Sequence, residues 1–503
     1  MSLVSTETIE PAKSVTAEPW YSRFFSFRSA LTALFIVLAV MTVRARFNDP
    51  DLWWHLKLGQ IVATTHHIPE FDTLSYTTGH HHVVPHEWLS QLLIYASYAA
   101  GGYSGLMFWE CAFVSGILIA GFYLCQIYGG DVRTAFLGTL SLWAFGTVGY
   151  AIRPQLVGYL LLTFELILLH LGRTRNPRWL LLLPPLFAVW VNCHGSFWLG
   201  LGVLAVVAFT DATDLHIRGF APAMGRSWSG RWLPWIFALS AAALFLNPNG
   251  LEQILYPFSI MLHSPINLGN VQEWRHLTVN DQRTWFFIAE VASFAALIFL
   301  RRAWLTLDES IVLAYTAFEA VRHERLLFPF GILAAPVLCR LLTAQQSNHQ
   351  EDRQRPGLNA ALIGVAFLVV WRVFPSGSSL RKQAEDASPV EATRFIQQHH
   401  LPGPILNNYD FGGYLIWAAP EYPVFVDGRA DIFEWTGVLG TYGNWVMGRT
   451  PARGVLDAYH VNLCLLSPDA GVVPQIRKLP EWKQVYADAH ALVFERVPVP
   501  AIR

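Results

Sequence analysis

Eleven apolar runs, most of them close to 20 residues long, constrain the fold of this chain more than any other feature of its sequence. A transmembrane helix needs about 20 mostly apolar residues to cross the hydrocarbon core of a bilayer. The sequence therefore predicts an α-helical polytopic membrane protein with about eleven transmembrane helices. The predicted spans lie near residues 28–47, 104–128, 132–150, 155–172, 178–193, 196–212, 232–247, 284–301, 304–321, 326–343 and 358–374.

Charged residues make up only 14% of the 503 residues, whereas soluble domains carry about 25%. The formal net charge is −1, so the chain has no overall basic field and no nucleic-acid partner is predicted. The five cysteines are scattered and form no CxxC pair, which argues against a structural zinc site or a disulfide framework.

Arginines cluster in alternate short loops, and positive residues are enriched in cytoplasmic loops of membrane proteins. If the N-terminus is inside, the arginine-bearing segments 173–178, 218–231 and 340–355 all fall on the cytoplasmic side. The predicted location is a bacterial cytoplasmic (inner) membrane, with the end of the chain outside. The long loops on that outer side are rich in His, Asp, Asn and Trp, which indicates that the protein works there.

The chain divides into three predicted parts. These are a cytoplasmic tail at 1–27, a transmembrane module at 28–375 with its first outer loop at 48–103, and a periplasmic α/β domain at 376–503. Within the module, residues 51–64, 86–100 and 251–263 have the pattern of interfacial or re-entrant helices.

Alternating strand and helix patterns in the C-terminal part predict a mostly parallel sheet covered by helices. Segments 404–407, 423–427, 461–466, 482–487 and 491–496 are the predicted strands. The first two of these strands lead into polar segments, 407–413 and 426–431, and α/β sheets bind ligands where strands end. Turn formation, helix capping and an Asp427–Arg429 salt bridge explain these segments equally well, and a structural or docking role is favoured.

Two carboxylates, Asp49 and Asp51, stand at the outer end of the first predicted span. A carboxylate at the membrane boundary is costly unless it is used or paired. One of the two can act as a general base, or hold a cation that binds phosphate. Alternatively, Asp51 caps the helix that follows it, with Pro50 shaping the turn. Both roles can coexist, because Asp51 can cap while Asp49 performs chemistry.

The motifs Asp-Pro-Asp-Leu-Trp-Trp-His-Leu-Lys-x-Gly, from Asp49, and His-Glu-Trp-Leu-Ser, from His86, resemble a bacterial branch of the GT-C glycosyltransferases. This superfamily includes the protein mannosyltransferases and the lipid A aminoarabinose transferases. The resemblance implies a polyprenyl-phosphate sugar donor and a loop carboxylate that activates the acceptor hydroxyl. By position Asp49 matches that base better than Asp51. His55, His86 and Glu87 lie in the matching motifs and are predicted to bind substrate.

Further polar residues at the outer ends of spans are candidates for substrate binding. The arginine guanidinium suits phosphate because its planar fork offers two parallel donors. Pairing with Glu324, Glu273 or lipid headgroups is the competing explanation for the outer arginines. For His194, the alternative to ligand binding is a buried structural histidine. The candidates are Arg153, His194, Glu273, Arg322 and Arg325.

A histidine-rich stretch in the first outer loop raises the question of a metal, since imidazole suits Zn, Mn and Ni. Its run at 80–82 lacks helical i, i+4 spacing, and a solvated loop with one functional pair, His86-Glu87, is the favoured explanation. No metal ligand is therefore assigned and no cofactor is required. A divalent cation, Mg or Mn, remains compatible with phosphate chemistry.

Together these features predict an inverting glycosyltransferase that acts at the outer face of the cytoplasmic membrane. Its partners would be membrane lipid, a polyprenyl-phosphate sugar and an unidentified glycan, lipid or protein acceptor. One alternative is a transporter or flippase, for which Glu165 and Glu290 within predicted spans are the supporting residues. Another is a non-catalytic scaffold of the cell envelope.

Overall fold

The computed structural model describes residues 24–44, 47–213, 220–222, 224, 228–263, 275–343 and 355–497. The membrane module is mostly helical within these residues. Its helices are α1 (Phe27–Val43), α2 (Leu52–Thr65), α3 (Trp88–Gly129), α4 (Val132–Gly146), α5 (Gln155–Thr174), α6 (Leu183–Trp190), α7 (Phe197–Thr213), α8 (Ser229–Ala243), α9 (Gly250–His263), α10 (Gln282–Arg301), α11 (Leu307–Arg322), α12 (Leu327–Thr343) and α13 (Pro356–Val373).

Each of the eleven predicted spans overlaps one of these helices. Five described helices are both long and apolar enough to cross a membrane, so the predicted number of about eleven is not confirmed. They are α3, α5, α10, α12 with the turn before it, and α13. The predicted span at 178–193 is divided into a 3-10 helix, Pro177–Leu182, and the eight-residue α6. Pro184 and Pro185 explain this break, because proline lacks the amide hydrogen that a continuous helix needs.

The three predicted interfacial helices coincide with helices of the structure. Segment 51–64 is α2, segment 251–263 is α9, and segment 86–100 forms the first part of α3. A kink at Gly102 divides α3, with φ of 57° and ψ of −140°. Glycine adopts this region of backbone space at no steric cost, so the outer arm of α3 can turn away from the spanning part.

A buried ion cluster joins three helices at the far end of α5. Arg173 contacts Asp211 of α7 at 2.6 Å and Asp308 of α11 at 2.8 Å, and all three side chains are at most 5% exposed. In the sequence analysis, Arg173 belongs to one of the arginine-bearing segments that are predicted to be cytoplasmic. In the structure this arginine also holds helices together, because a charge removed from water needs charged partners.

The C-terminal part begins with α14 (Gly377–Asp386) and α15 (Val390–Gln398). Its remaining elements are β1 (Ile405–Asn407), α16 (Tyr409–Ala418), α17 (Ala430–Trp435), α18 (Val438–Val446), α19 (Ala452–Ala458), β2 (Leu463–Leu466), α20 (Val473–Ile476), β3 (Trp482–Ala487) and β4 (Leu492–Arg496). Two buried apolar clusters lie around the sheet.

The prediction of a mostly parallel sheet is wrong. The strand order is β1-β2-β4-β3, and only β1 and β2 are parallel. The cause is the short connection between β3 and β4, which allows only an antiparallel hairpin. Asp488 stabilises that turn by accepting the backbone N–H groups of His490 and Ala491, both at 2.7 Å.

The predicted strand at 423–427 is not a strand of this sheet either. Val424 instead forms a parallel bridge with Ser75 of the first outer loop. Its carbonyl accepts the Tyr76 N–H at 3.2 Å, and its own N–H donates to Leu74 at 3.1 Å. The C-terminal part is therefore joined to the outer loop by backbone hydrogen bonds.

Candidate functional site

A cavity of about 820 Å³ lies where the first outer loop, the outer ends of the helices and the C-terminal part meet. All three parts of the chain contribute polar groups to its wall. The outer loop supplies Asp51, Trp54, His86 and Glu87; the module further along supplies Arg153, Tyr256, Arg275 and Arg325; the C-terminal part supplies Tyr409, Asp410, Gly428, Arg429, Asp431 and Tyr442.

Arg153 forms an ion cluster with both carboxylates of the first outer loop. Its Nε and Nη2 atoms donate to the two oxygens of Asp49 at 2.5 and 2.9 Å. Nη2 also lies 3.0 Å from Asp51 Oδ2. Pro154 follows Arg153 directly, and α5 begins only at Gln155, so Arg153 lies in the loop before the helix.

The two carboxylates differ in what they face. Both oxygens of Asp49 contact Arg153, and Oδ1 also accepts the Asp51 N–H at 3.0 Å. Asp51 lines the cavity and is 23% exposed, against 10% for Asp49. The sequence favoured Asp49 as the base, whereas the geometry gives Asp51 the better access to a substrate.

Asp51 occupies the N-cap position of α2 but does not cap the helix with its side chain. Asp51 precedes α2, but its side chain makes no capping hydrogen bond. Its Oδ1 atom accepts the Trp54 indole N–H at 3.1 Å instead. Because the indole and Arg153 approach from two sides, the carboxylate is held in one orientation toward the cavity.

Glu87 lies between two histidines at the start of α3. Its Oε1 atom is 3.7 Å from Nε2 of His86 and 3.7 Å from Nε2 of His194. Burial raises the pKa of Glu87 and lowers the pKa of His194 well below its ordinary value. Both pKa shifts have the same physical cause, because removal from water disfavours the charged form. That form is the deprotonated carboxylate in Glu87 and the protonated ring in His194.

The hydrogen bonds of His194 fix its tautomer. Its Nδ1 atom accepts the Ser196 N–H at 3.1 Å and also contacts the Ser196 hydroxyl at 2.8 Å. In the neutral ring the proton therefore sits on Nε2, which faces Glu87. His194 is at once a packed histidine and a neighbour of the cavity wall.

His55 lies behind the cavity wall rather than in it. Its side chain is almost completely buried, 3.3 Å from Gln91 and stacked on Trp54. Burial lowers the pKa of His55 well below its ordinary value. The predicted substrate-binding residue thus supports Trp54 and Gln91, which do line the cavity.

The outer arginines separate into two groups. Arg325 and Arg275 line the cavity, and Arg325 also approaches Gln155 at 3.4 Å. Within the described residues the Arg275 side chain forms no hydrogen bond or ion pair. Arg322 is not among the lining residues; its side chain is 57% exposed and pairs with Glu319 at 3.8 Å. The predicted Glu273 lies outside the described residues.

The residues present do not fit a divalent cation. Among the described parts of the chain, no three His, Cys, Asp or Glu side chains converge as metal ligands. The Arg153 guanidinium bridges Asp49 and Asp51, where a cation would otherwise neutralise them. In the histidine-rich stretch, His82 pairs with Glu252 at 3.3 Å.

Sequence reasoning missed the contribution of the C-terminal part. Asp427 and Arg429 do form the predicted salt bridge, and Arg429 also contacts Asp72 of the outer loop at 2.7 Å. This pairing brings Tyr409, Asp410 and Asp431 to the cavity. The available signal was their position after predicted strands, but the sequence could not show which surface those strand ends would meet.

The fold resembles that of GT-C glycosyltransferases of known structure. The archaeal oligosaccharyltransferase AglB from Archaeoglobus fulgidus, in complex with an inhibitory peptide and a dolichol-phosphate, aligns with 89% of this chain and 70% of its own, at 11% identity and a TM-score of 0.53. ArnT from Cupriavidus metallidurans, bound to undecaprenyl phosphate, aligns with 92% of this chain and 97% of its own, at 14% identity and a TM-score of 0.51. No family model and no curated protein matches the sequence. At these identities the likeness establishes the fold.

Proposed function

We propose that this protein is a membrane glycosyltransferase that moves a sugar from a polyprenyl-phosphate donor to an acceptor hydroxyl at the outer face of the membrane. The observation that carries the proposal is the convergence of a fixed carboxylate, Asp51, and two arginines, Arg275 and Arg325, on one cavity. Glycosyl transfer from a lipid phosphate needs one group to accept a proton and others to receive the leaving phosphate.

The proposed reaction is a single inverting displacement. The acceptor oxygen attacks the anomeric carbon, and the bond from that carbon to the phosphate oxygen breaks. Asp51 takes the proton of the acceptor hydroxyl. The departing polyprenyl phosphate keeps the electron pair of the broken bond, and Arg275 and Arg325 stabilise its negative charge through charge-assisted hydrogen bonds.

Asp49 and Arg153 have supporting roles in this mechanism. Arg153 bridges the two carboxylates, and Asp49 fixes the guanidinium by occupying two of its donors. The mechanism assigns no step to a metal ion, because Arg153 already compensates the carboxylates. The AglB structure contains a dolichol-phosphate and the ArnT structure contains undecaprenyl phosphate. Both ligands are polyprenyl-type lipid phosphates, the class of carrier lipid in the donor proposed here.

Transport of a lipid-linked solute is the alternative to be excluded. The intramembrane carboxylates that suggested it are both buried. Glu165 Oε2 lies next to Gly200, and neither Glu165 oxygen has a hydrogen-bond partner among the described residues, while Glu290 accepts a hydrogen bond from Ser141 at 3.1 Å. The Ser141–Glu290 contact connects two helices, so it supports helix packing as well as transport.

The test is transfer by the full-length protein in reconstituted membranes. The donors are a mixed pool of polyprenyl-phosphate sugars, the acceptor is a total cell-envelope extract, and products are identified by mass spectrometry. Wild-type protein should form a glycosylated product. Asp51→Asn should slow turnover about 10²–10⁴-fold, because the amide cannot accept a proton. Asp49→Asn should slow it less.

Asp469→Asn is the matched control, since Asp469 lies on the exposed surface of the C-terminal part and bonds only to Ser467 among the described residues. It should leave transfer unchanged. Wild-type protein that moves a labelled lipid across the bilayer without forming product would overturn the proposal in favour of transport. Protein that does neither would favour the scaffold.

A further inference from the structure

The sequence motif Asp427-Gly428-Arg429 takes no part in the mechanism above, although it borders the cavity beside Asp51. Its two charged residues are buried, with Asp427 inaccessible and Arg429 7% exposed. The Arg429 guanidinium donates to both oxygens of Asp427, at 2.8 and 2.6 Å, and to Asp72 of the outer loop at 2.7 Å. Breaking an ion cluster that is removed from water is costly, so this cluster anchors the motif on the outer loop.

Contacts just before the motif reinforce this anchor. Val424 pairs with Ser75 in a parallel bridge, and the Thr77 hydroxyl donates to the Phe425 carbonyl at 2.7 Å. The Ser75 hydroxyl also donates to Asp72 at 2.8 Å. The chain that leads into the motif is therefore fixed against the outer loop at several points.

Gly428 approaches Asp51 too closely for any side chain at position 428. A β-carbon built on Gly428 would lie 2.1 Å from Asp51 Oδ1 and 2.7 Å from the Trp54 indole nitrogen, whereas β-carbon contacts in proteins essentially always exceed 3.0 Å. The φ angle of Gly428 lies outside the left-handed region, so space and not backbone conformation requires glycine here. Because the backbone is anchored, an added β-carbon would displace the carboxylate.

From these contacts we infer that Gly428 is a positioning residue of the transfer reaction. Trp54 and Arg153 hold the Asp51 carboxylate from two sides, at 3.1 and 3.0 Å. The Gly428 backbone closes a third side. A reacting group must be held within about 0.5 Å of its productive position. The inference rests on the proposed function, and it gives the C-terminal part a role in the reaction itself.

The first experiment measures transfer by full-length Gly428→Ala in the reconstituted assay. Relief of the contact with the Asp51 carboxylate requires a shift of about 1 Å, and a misplacement of this size can lower a rate about 10²-fold. Gly428→Ala should therefore lower kcat about 10²-fold. The KM for the lipid-phosphate donor should change little, because Arg275 and Arg325, and not this motif, are proposed to bind the phosphate.

Two further alanine variants separate positioning from packing. Gly413→Ala adds the same methyl group to the same interface, but its closest contact is the Pro50 carbonyl oxygen at 2.8 Å and not the Asp51 carboxylate. It should lower the unfolding midpoint about as much as Gly428→Ala and reduce kcat far less. Gly454 lies on the exposed surface of α19 with open space for a β-carbon, so Gly454→Ala should match the wild type in both measurements.

The second experiment reports on the carboxylate segment without any turnover. Hydrogen–deuterium exchange with mass spectrometry follows the peptide 49–58, in which the Leu52 N–H donates to the Asp49 carbonyl at 3.2 Å. Gly428→Ala should speed exchange in this peptide and leave exchange in α7 unchanged. If Gly428→Ala folds poorly, Asp72→Asn keeps the side-chain size and removes one charge from the anchor. It should speed the same exchange and lower kcat by a smaller factor.

The outcomes distinguish failure of the inference from failure of the proposed function. Wild-type kcat in Gly428→Ala, or equal losses of kcat in Gly428→Ala and Gly413→Ala, would overturn the positioning role and leave the transferase intact. Wild-type protein without any transfer would refute the transferase. Exchange at 49–58 that rises in Gly428→Ala would then still show that Gly428 holds the Asp51 segment, and unchanged exchange would overturn that contact as well.

Discussion

Two ion clusters of identical composition, one arginine with two aspartates, stand at opposite ends of α5. Arg173, near the last turn, binds Asp211 and Asp308, and Arg153, just before the first turn, binds Asp49 and Asp51. About 30 Å separates the two ends of a 20-residue helix. The side chains of the first cluster are 1–5% exposed, whereas those of the second are 10–23% exposed.

The difference shows that composition does not decide the role of an ion cluster. The Arg173 cluster connects α5, α7 and α11, and its aspartates come from separate helices. The Arg153 cluster draws both aspartates from one outer-loop segment and opens on a cavity. Charges enclosed by helices hold those helices together, whereas charges at a cavity remain accessible to a substrate.

The largest effect is expected from breaking the enclosed cluster. Arg173→Met leaves Asp211 and Asp308 buried without their cation, which should cost about 3–5 kcal/mol of folding free energy. The thermal unfolding midpoint in detergent should fall sharply. Any folded protein that remains should still transfer sugar at the wild-type rate. An unchanged midpoint would show that the cluster is not structural.

The same substitution at the other end of α5 should affect chemistry instead. Arg153→Met should reduce transfer about 10²–10³-fold, because the carboxylates lose the donor that orients and compensates them. Arg153→Lys keeps the charge but not the planar fork, so an intermediate rate is expected. The measurement pairs transfer rates with unfolding midpoints. A loss of stability equal to that of Arg173→Met would remove the contrast between the two clusters.

A third prediction separates the cavity arginines from the exposed one. Arg275→Ala should weaken binding of undecaprenyl phosphate about ten- to a hundredfold, since a hydrogen bond to a charged group contributes about 1.5–3 kcal/mol. Arg322→Ala is the matched control, because Arg322 pairs with Glu319 away from the cavity. Tryptophan fluorescence quenching in nanodiscs measures both variants. Equal losses would show that the cavity does not select the donor phosphate.

A gradual effect is expected from pH, which should change the stability of the region near the cavity. Burial lowers the pKa of His55 and His194 in the folded protein, so the unfolded chain binds protons first on acidification. Stability is present above about pH 6.5 and falls below it, by up to about 1.4 kcal/mol per pH unit for each histidine. Unfolding midpoints from pH 8 to 5 should show this fall, and His194→Gln should reduce its slope.

The control for the pH series is His66→Gln, because His66 lies on the exposed surface at the end of α2. Its profile should match that of the wild type. A wild-type midpoint that stays constant down to pH 5 would show that neither buried histidine is kept neutral by the fold.

The sequence predicted much of the helical framework and part of the cavity. The positions of helices α2 and α9 and of the first part of α3 were predicted within a few residues, because amphipathic patterns are local. Asp51, His86, Glu87, Arg153 and Arg325 were also predicted and do line the cavity.

The errors share a physical cause. Segment 423–427 was predicted as a strand of the sheet because it is apolar. In the structure its Val424 pairs instead with the backbone of Ser75, 349 positions earlier. Arg322 and Arg325 belong to the same short motif, yet only the second points to the cavity. The local sequence pattern specifies the type of secondary structure that a segment forms. It does not specify which distant part of the chain that segment contacts.

By itself the sequence determined the membrane class, the positions of most helices and a set of charged residues near the ends of spans. Hydropathy and helix periodicity are properties of adjacent residues, so they can be read without a structure. Tertiary structure decided which charges pair. Arg153 meets Asp49 across 104 positions, and Arg429 meets Asp72 across 357. Ion pairing depends on distance and burial in space, which is why only the folded chain distinguishes Arg153 at the cavity from Arg173 in the core.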